Sequence, residues 1–311
     1  MQRKVKILIN YGRLSEKLVQ QIREVSKRIE IVEASDKKAA LTAVREAEVV
    51  FGRIDKEMFS AAKKLKWIQV TSAGVDRYLF PELVSSPVLL TNASGVHRIP
   101  ISEMIMAMML ALAKKLHKFM QLKNEAKWKK IKPEELAGKT LGLLGLGSIG
   151  METAWKAKCF DMRILALKRQ LIRRPTYVDE MLGPEDLDYL LRESDFLVVT
   201  VPLTAETCHM IGEDELRLMK PTAYIINISR GAVIDNRALI KALKEGWIAG
   251  AALDVFEEEP LPEDSEFWKL ENIIITPHVS GSSPNYDERV EQIKFIEEFS
   301  KKQRICCLTT A

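Results

Sequence analysis

"TLGLLGLGSIG", residues 140–150, decides the fold of this chain. The run "TLGLL" is short and apolar throughout, as a strand covered on both faces should be. Gly145, Gly147 and Gly150 follow as GxGxxG, and "METAWKAKCF" after them reads as a helix. Between strand and helix, the first glycine permits a tight turn, the second lets backbone approach a pyrophosphate, and the third allows close packing. The segment Gly145, Leu146, Gly147, Ser148, Ile149 and Gly150 therefore offers phosphates the N–H groups and positive dipole end of a helix. A dinucleotide cofactor is expected here.

The pattern continues outward in both directions. "RILAL", "FLVVTV", "AYIINIS", "AGAALDV" and "NIIITPH" add five strands to "TLGLLG", with helical "PEDLDYLLRES", "DELRLMK" and "NRALIKALKEG" between them. Upstream, strands "VKILIN", "IEIVEA", "EVVFG" and "KWIQV" alternate with helical "SEKLVQQIREVSKR", "KKAALTAVREA" and "KEMFSAAKKL". A helix from Ile101 to about Leu122 separates the two series. Such alternation predicts the α/β class with two doubly wound parallel sheets. Helical "NYDERVEQIKFIEEFSKKQ" and a short tail close the chain, and no further strand-rich regulatory block is expected.

The end of the second cofactor strand, "RILALKRQ", residues 163–170, breaks a rule. About 20 residues past the glycine turn an acid normally meets the adenosine ribose. Here stand Lys168 and Arg169, with Arg173 and Arg174 nearby. A cation attracts the 2′-phosphate that an acid would repel, so NADP is expected as the preferred cofactor, with NAD as the alternative. The competing reading is a set of solvated loop charges.

Composition excludes other classes. In 311 residues, 47 basic and 43 acidic side chains leave +4 spread along the chain, so no basic stripe argues for nucleic acid. Cys159, Cys208, Cys306 and Cys307 have no CxxC spacing and read as reduced thiols, and no metal site is expected. "MIMAMMLALA", 104–113, falls short of the roughly 20 residues that span a bilayer and reads as a buried helix at a domain or subunit contact. The N-terminus lacks a secretory signal, which places the protein in the cytoplasm without membrane partners.

Chemistry-bearing side chains follow three strands at the carboxyl edge of one sheet, where ligands of open α/β sheets collect. "INISRGAVID" carries Arg230 past one strand, "ALDVFEEEP" carries Asp254 and the acids 257–259 past the next, and "IIITPHVSGSS" carries His278 past the third. Of the other histidines, His117 and His209 read as ordinary positions, while His97 lies on an interdomain loop and could line a site.

In this order and spacing, "LLGLGSIG", "VPLTAETCHMIG", "INISRGAVIDNRALIKAL", "AALDVFEEEPLP" and "IIITPHVSGSS" resemble the D-isomer-specific 2-hydroxyacid dehydrogenase family, of the glyoxylate or hydroxypyruvate reductase kind. "VTSAGVDRYLFPEL" and "LTNASGVHRIPISE" extend the resemblance into the first domain. It implies a Rossmann cofactor domain, residues 99–282, inserted into a flavodoxin-like substrate domain made of residues 1–98 and 283–311. It also implies a homodimer joined through the cofactor domain and the Met-rich helix. The implied catalytic residues are Arg230, Glu259 and His278. Ser72, Ala73 and Gly74 correspond to the family's carboxylate cradle, Asp254 to its nicotinamide-amide ligand, and Pro202, Thr207, Ile228 and Gly281 to further cofactor contacts. The implied activity is hydride transfer between NAD(P)H and a small 2-keto acid, with a cleft closing about hinges near 98–100 and 282–284. Substrate selection is expected from loops near Phe51, Gly52, Arg53 and His97. A phosphoglycerate-type dehydrogenase and a dinucleotide-sensing corepressor-like protein are the alternatives; the complete Arg, Glu and His set favours the reductase.

Overall fold

A computed structural model describes residues 4–12, 14–170 and 173–291. The chain divides into two compact units: one holds the residues up to Val96 and the segment beginning at Ser283, the other His97–Ser282. The tail with Cys306 and Cys307 lies outside the described residues.

The first unit is built on β1 (Val5–Asn10), β2 (Ile29–Glu33), β3 (Val49–Gly52), β4 (Trp67–Gln69) and β5 (Leu89–Thr91). They form one parallel sheet in the order β2-β1-β3-β4-β5, the flavodoxin-like winding. Helices α1 (Glu16–Val25), α2 (Lys37–Ala43) and α3 (Lys56–Ala61) connect the first four strands, and α4 (Pro81–Val84) precedes β5. Ser15, Asp36 and Asp55 each accept the N–H three residues on, which starts α1, α2 and α3. Ile7, Leu8, Val50 and Ile68 are fully buried between helices on both faces.

In the second unit, α5 (Arg98–Ala113) and α6 (Leu116–Asn124) precede β6 (Thr140–Leu144), α7 (Ser148–Lys158), β7 (Arg163–Leu167) and β8 (Glu180–Leu182). Then come α8 (Leu187–Glu193), β9 (Phe196–Val199), α9 (Glu213–Leu218), β10 (Tyr224–Asn227), α10 (Asn236–Glu245), β11 (Gly250–Leu253) and β12 (Ile273–Ile275). All seven strands are parallel, in the order β12-β11-β10-β9-β6-β7-β8. Winding reverses between β6 and β9, the switch point at which such sheets bind dinucleotides.

Two local expectations are corrected. The helix expected from Ile101 to Leu122 is two helices, broken where Lys115 adopts φ +59°. Lys114 Nζ donates to the Glu134 carbonyl at 2.7 Å and Lys115 Nζ to the Glu134 carboxylate at 2.8 Å, so distant chain captures both lysines at the break. β5 and β8 were not expected as strands; each is a three-residue outer strand without a buried apolar run. The Met-rich helix α5 buries Ile105, Met106, Met108, Met109 and Leu112 in the core of its own unit. Among the described residues no helix is long and apolar enough to cross a membrane.

Candidate active site

The glycine turn follows β6 at the switch point. Gly145 has φ +108°, and a Cβ there would lie 2.9 Å from Thr200 Oγ1, whose hydroxyl donates to the Gly145 carbonyl at 2.8 Å. At Gly150 a Cβ would stand 2.4 Å from the Gly145 carbonyl oxygen, so α7 crosses the turn in backbone contact. At Gly147, directly before α7, a Cβ would meet nothing within 4 Å. Two of the glycines thus fold the turn, and the third leaves its surface open to a phosphate beside the first N–H groups of α7, Ser148 and Ile149 among them. These residues fit a dinucleotide. Gly147→Ala should leave the melting temperature of the cofactor-free protein unchanged and weaken cofactor binding at least about tenfold, whereas Gly150→Ala should lower the melting temperature itself. Calorimetric melts with a cofactor fluorescence titration check both; a stability loss in Gly147→Ala would contradict its open placement.

Lys168 sits at the end of β7 and donates from Nζ to the Leu146 carbonyl at 3.0 Å, which draws its ammonium onto the glycine turn. Arg169 is exposed, and its field reaches Glu206 in the loop after β9. The Glu206 carboxyl is held below the usual carboxylate range, mainly by the Thr204 hydroxyl at 2.7 Å and to a lesser degree by Arg169. Arg174 is turned away, donating to the backbone carbonyls of Val178 and Asp179. In the loop after β9, the Thr207 hydroxyl donates to the Pro202 carbonyl at 2.7 Å and accepts from the Thr204 N–H at 2.8 Å, so it closes its own loop.

β10, β11 and β12 are neighbours, and their carboxyl ends deliver Arg230, Asp254 and His278 to one edge of the sheet. Asn227, almost fully buried at the end of β10, accepts from the Ser229 N–H and hydroxyl and donates to the Arg230 carbonyl at 3.0 Å. This fixes the backbone that presents Arg230, whose guanidinium donates to the Ser229 carbonyl at 2.6 Å. Ile228 is buried beneath it.

Glu259 pairs with His278. Its Oε2 accepts from His278 Nδ1 at 2.7 Å, and its Oε1 accepts from the Phe256 N–H at 3.0 Å. Of the acids 257–259, Glu257 goes elsewhere: it accepts from the Asn236 N–H at 3.0 Å and lies 3.4 Å from His209. The His278 side chain is about half exposed (48%), so it remains within reach of a ligand.

Asp254, expected to bind the nicotinamide amide, is fully buried and turned to its own sheet edge. It accepts from the Thr276 hydroxyl at 2.5 Å and from the Val279 and Ser280 N–H groups at 3.0 and 2.9 Å. Its carbonyl also accepts the His278 N–H at 2.8 Å, and the loop so held carries His278 at φ +52°. The Gly281 carbonyl accepts from His97 Nδ1 at 3.1 Å.

In the first unit, Ser72, Ala73 and Gly74 form a half-buried turn beyond β4, at the carboxyl edge of its sheet. Phe51 is 1% exposed within β3, and its ring is packed in the core, edge-on to Tyr11 of the loop after β1 at 6.3 Å. Two functional features escaped the sequence reading. A Cβ on Gly231 would lie 1.9 Å from the Phe256 carbonyl carbon, so this glycine brings the Arg230 loop onto the segment that carries Glu259. At the Ser72–Gly74 turn, side chains from two other segments tie the carbonyls of Thr71, just before the turn, and of Ala73, within it.

Comparison with known proteins agrees with this geometry. Residues 106–280 match the family described as "D-isomer specific 2-hydroxyacid dehydrogenase, NAD binding domain". A glyoxylate reductase of Thermococcus litoralis is 41% identical over 268 residues, covering 81% of this chain and 80% of the relative. A solved D-isomer specific 2-hydroxyacid dehydrogenase family protein of Aeromonas salmonicida is 30% identical, with a TM-score of 0.79 over 95% of this chain and 96% of that one. Another, from Xanthobacter autotrophicus in complex with NADPH and MES, is 25% identical, with a TM-score of 0.77 over 96% of both chains. With the glycine turn, the Arg230, Glu259 and His278 edge and these matches together, the chain belongs to the D-isomer specific 2-hydroxyacid dehydrogenase family and is an NAD(P)-dependent oxidoreductase.

Proposed function

We propose that the protein reduces a small 2-keto acid, glyoxylate or hydroxypyruvate first among them, to the D-2-hydroxy acid with NADPH as its preferred donor. The observation that carries this is the 2.7 Å pair of Glu259 and His278 on the sheet edge from which Arg230 also leaves. The glycine turn and the first N–H groups of α7 would hold a nicotinamide cofactor, which would supply the hydride for the carbonyl carbon. Because Glu259 engages Nδ1, His278 gives its proton from Nε2 to the carbonyl oxygen; in the reverse direction Nε2 of the neutral ring takes the hydroxyl proton. Arg230, charged throughout, pairs with the substrate's carboxylate or carbonyl oxygen. Backbone N–H groups of Ser72, Ala73 and Gly74 take the carboxylate. The glyoxylate reductase relative supports the choice of substrate; a cytoplasmic homodimer joined through the second unit is part of the same proposal.

For the cofactor, Lys168 supports NADPH because its ammonium lies against the glycine turn with no carboxylate paired to it among the described residues, and Arg169 stands exposed next to it. The bound NADPH of the Xanthobacter autotrophicus protein points the same way. Steady-state kinetics with NADH and NADPH against a panel of 2-keto acids tests substrate and donor together; absence of turnover throughout the panel would sink the enzymatic reading. Lys168→Asp with Arg169→Ala should move the NADPH to NADH ratio of kcat/KM at least about tenfold toward NADH, the effect of losing one charge-assisted hydrogen bond. Keto-acid selectivity should stay the same. An unchanged ratio would make both cations solvated loop charges.

A further inference from the structure

We propose that Asn92 and Tyr286 are positioning residues for the substrate's carboxylate, acting through the backbone of the Ser72–Gly74 turn. The proposal rests on the assignment of that turn as the carboxylate cradle. Four successive carbonyls around the turn accept hydrogen bonds from within the first unit. Thr71 accepts from the Tyr286 hydroxyl at 2.7 Å, and Ser72 from the Ala93 N–H at 3.0 Å. Ala73 accepts from Asn92 Nδ2 at 2.6 Å, and Gly74 from the Ser72 hydroxyl at 2.8 Å.

The donors show the opposite pattern. Among the described residues, the N–H groups of Ser72, Ala73 and Gly74 donate to no other residue. Half-buried backbone N–H groups left without a protein partner call for water or an acceptor ligand. With its carbonyls tied back, the turn presents donors alone, and successive outward N–H groups make an anion-binding concavity. A rotated peptide would instead direct a carbonyl dipole at the carboxylate and repel it. Asn92 and Tyr286 prevent that rotation from two places far apart in sequence, just past β5 and at the start of α11 (Tyr286–Glu291).

The test is made on the cofactor-loaded protein. Oxalate, a carboxylate without a reducible carbonyl, is titrated by calorimetry beside glyoxylate kinetics, in Tyr286→Phe, Asn92→Leu and Ala73→Pro. Tyr286→Phe removes one hydroxyl and no ring contact. It and Asn92→Leu should each weaken oxalate binding and raise KM about three- to tenfold, the range for one lost hydrogen bond, with kcat and the cofactor's Kd within twofold. A variant that merely disturbed the fold would lower kcat and cofactor binding as well. If Tyr286→Phe leaves the oxalate Kd and KM unchanged while Ala73→Pro weakens both, the positioning role is wrong and the cradle stands. If Ala73→Pro, which deletes a cradle N–H, leaves oxalate binding unchanged, the cradle assignment falls and the proposal with it.

Discussion

His278→Asn is expected to lower kcat for keto-acid reduction about 10²- to 10⁴-fold, the contribution of a positioned general acid. The ring is fixed before substrate arrives: Nδ1 donates to Glu259 at 2.7 Å, and the Asp254 carbonyl holds the His278 N–H at 2.8 Å. Nε2 is therefore the atom left for the proton, and asparagine has no titrating group to take its place. Glu259→Gln should cost less, about 10- to 100-fold, for a geometric reason. The carboxylate accepts from two donors, His278 Nδ1 and the Phe256 N–H, whereas an amide has one acceptor oxygen and must set its NH₂ against the other donor. Neither change touches the glycine turn, so the Kd for the cofactor should stay within about twofold. Single-turnover kinetics with a cofactor fluorescence titration measure both quantities. A His278→Asn variant that kept kcat within tenfold of the parent would remove His278 from proton transfer.

Which parts were legible in the sequence follows from whether their cause was local. The central strands β6, β9, β10 and β11 are buried on both faces and read as apolar runs, and the three glycines carry their turn in their spacing. Arg230, Asp254 and His278 could be placed on one edge because parallel strands deliver their carboxyl ends together. Their partners were not legible in the strand pattern, and only the family resemblance singled out Glu259 among the acids 257–259. That Glu259 faces His278 while Glu257 caps α10 depends on the path of the 256–260 segment, along which these two identical side chains diverge. Asp254 ends an apolar strand as a ligand-binding acid would, and only the fold shows its oxygens taken up by Thr276, Val279 and Ser280. The outer strands β5 and β8 and the helix break at Lys115 have non-local causes as well. Two strands exist because a neighbour pairs with them, and the break because residue 134 captures both lysines.

Gly231→Ala should impair the site as severely as a change to a catalytic side chain, although glycine contributes no chemistry. A Cβ at this position would stand 1.9 Å from the carbonyl carbon of Phe256 and 2.3 Å from the Glu257 nitrogen, both main-chain atoms that no rotamer change can move. The opposing segment has little room to retreat, because Phe256 is buried with its ring edge-on to Phe267 at 5.5 Å. Relief must come from separating the two loops. One carries Arg230, next in chain to the substitution. The other supplies the Phe256 N–H that anchors Glu259, and through Glu259 the ring of His278. Overpacking of this kind costs about 1–3 kcal/mol, and a displacement of about 1 Å at a reacting centre costs about 10²-fold in rate. The variant should therefore melt several degrees lower, at about 2–4 °C per kcal/mol for a chain of this size. It should lose about 10²-fold in kcat/KM while binding cofactor nearly as before, since the glycine turn lies at the end of a different strand. Wild-type kcat/KM and melting temperature together would show that the two loops are not held in register by backbone contact at Gly231. Loss of stability with catalysis intact would confine the glycine to packing and separate it from the placement of Arg230 and Glu259.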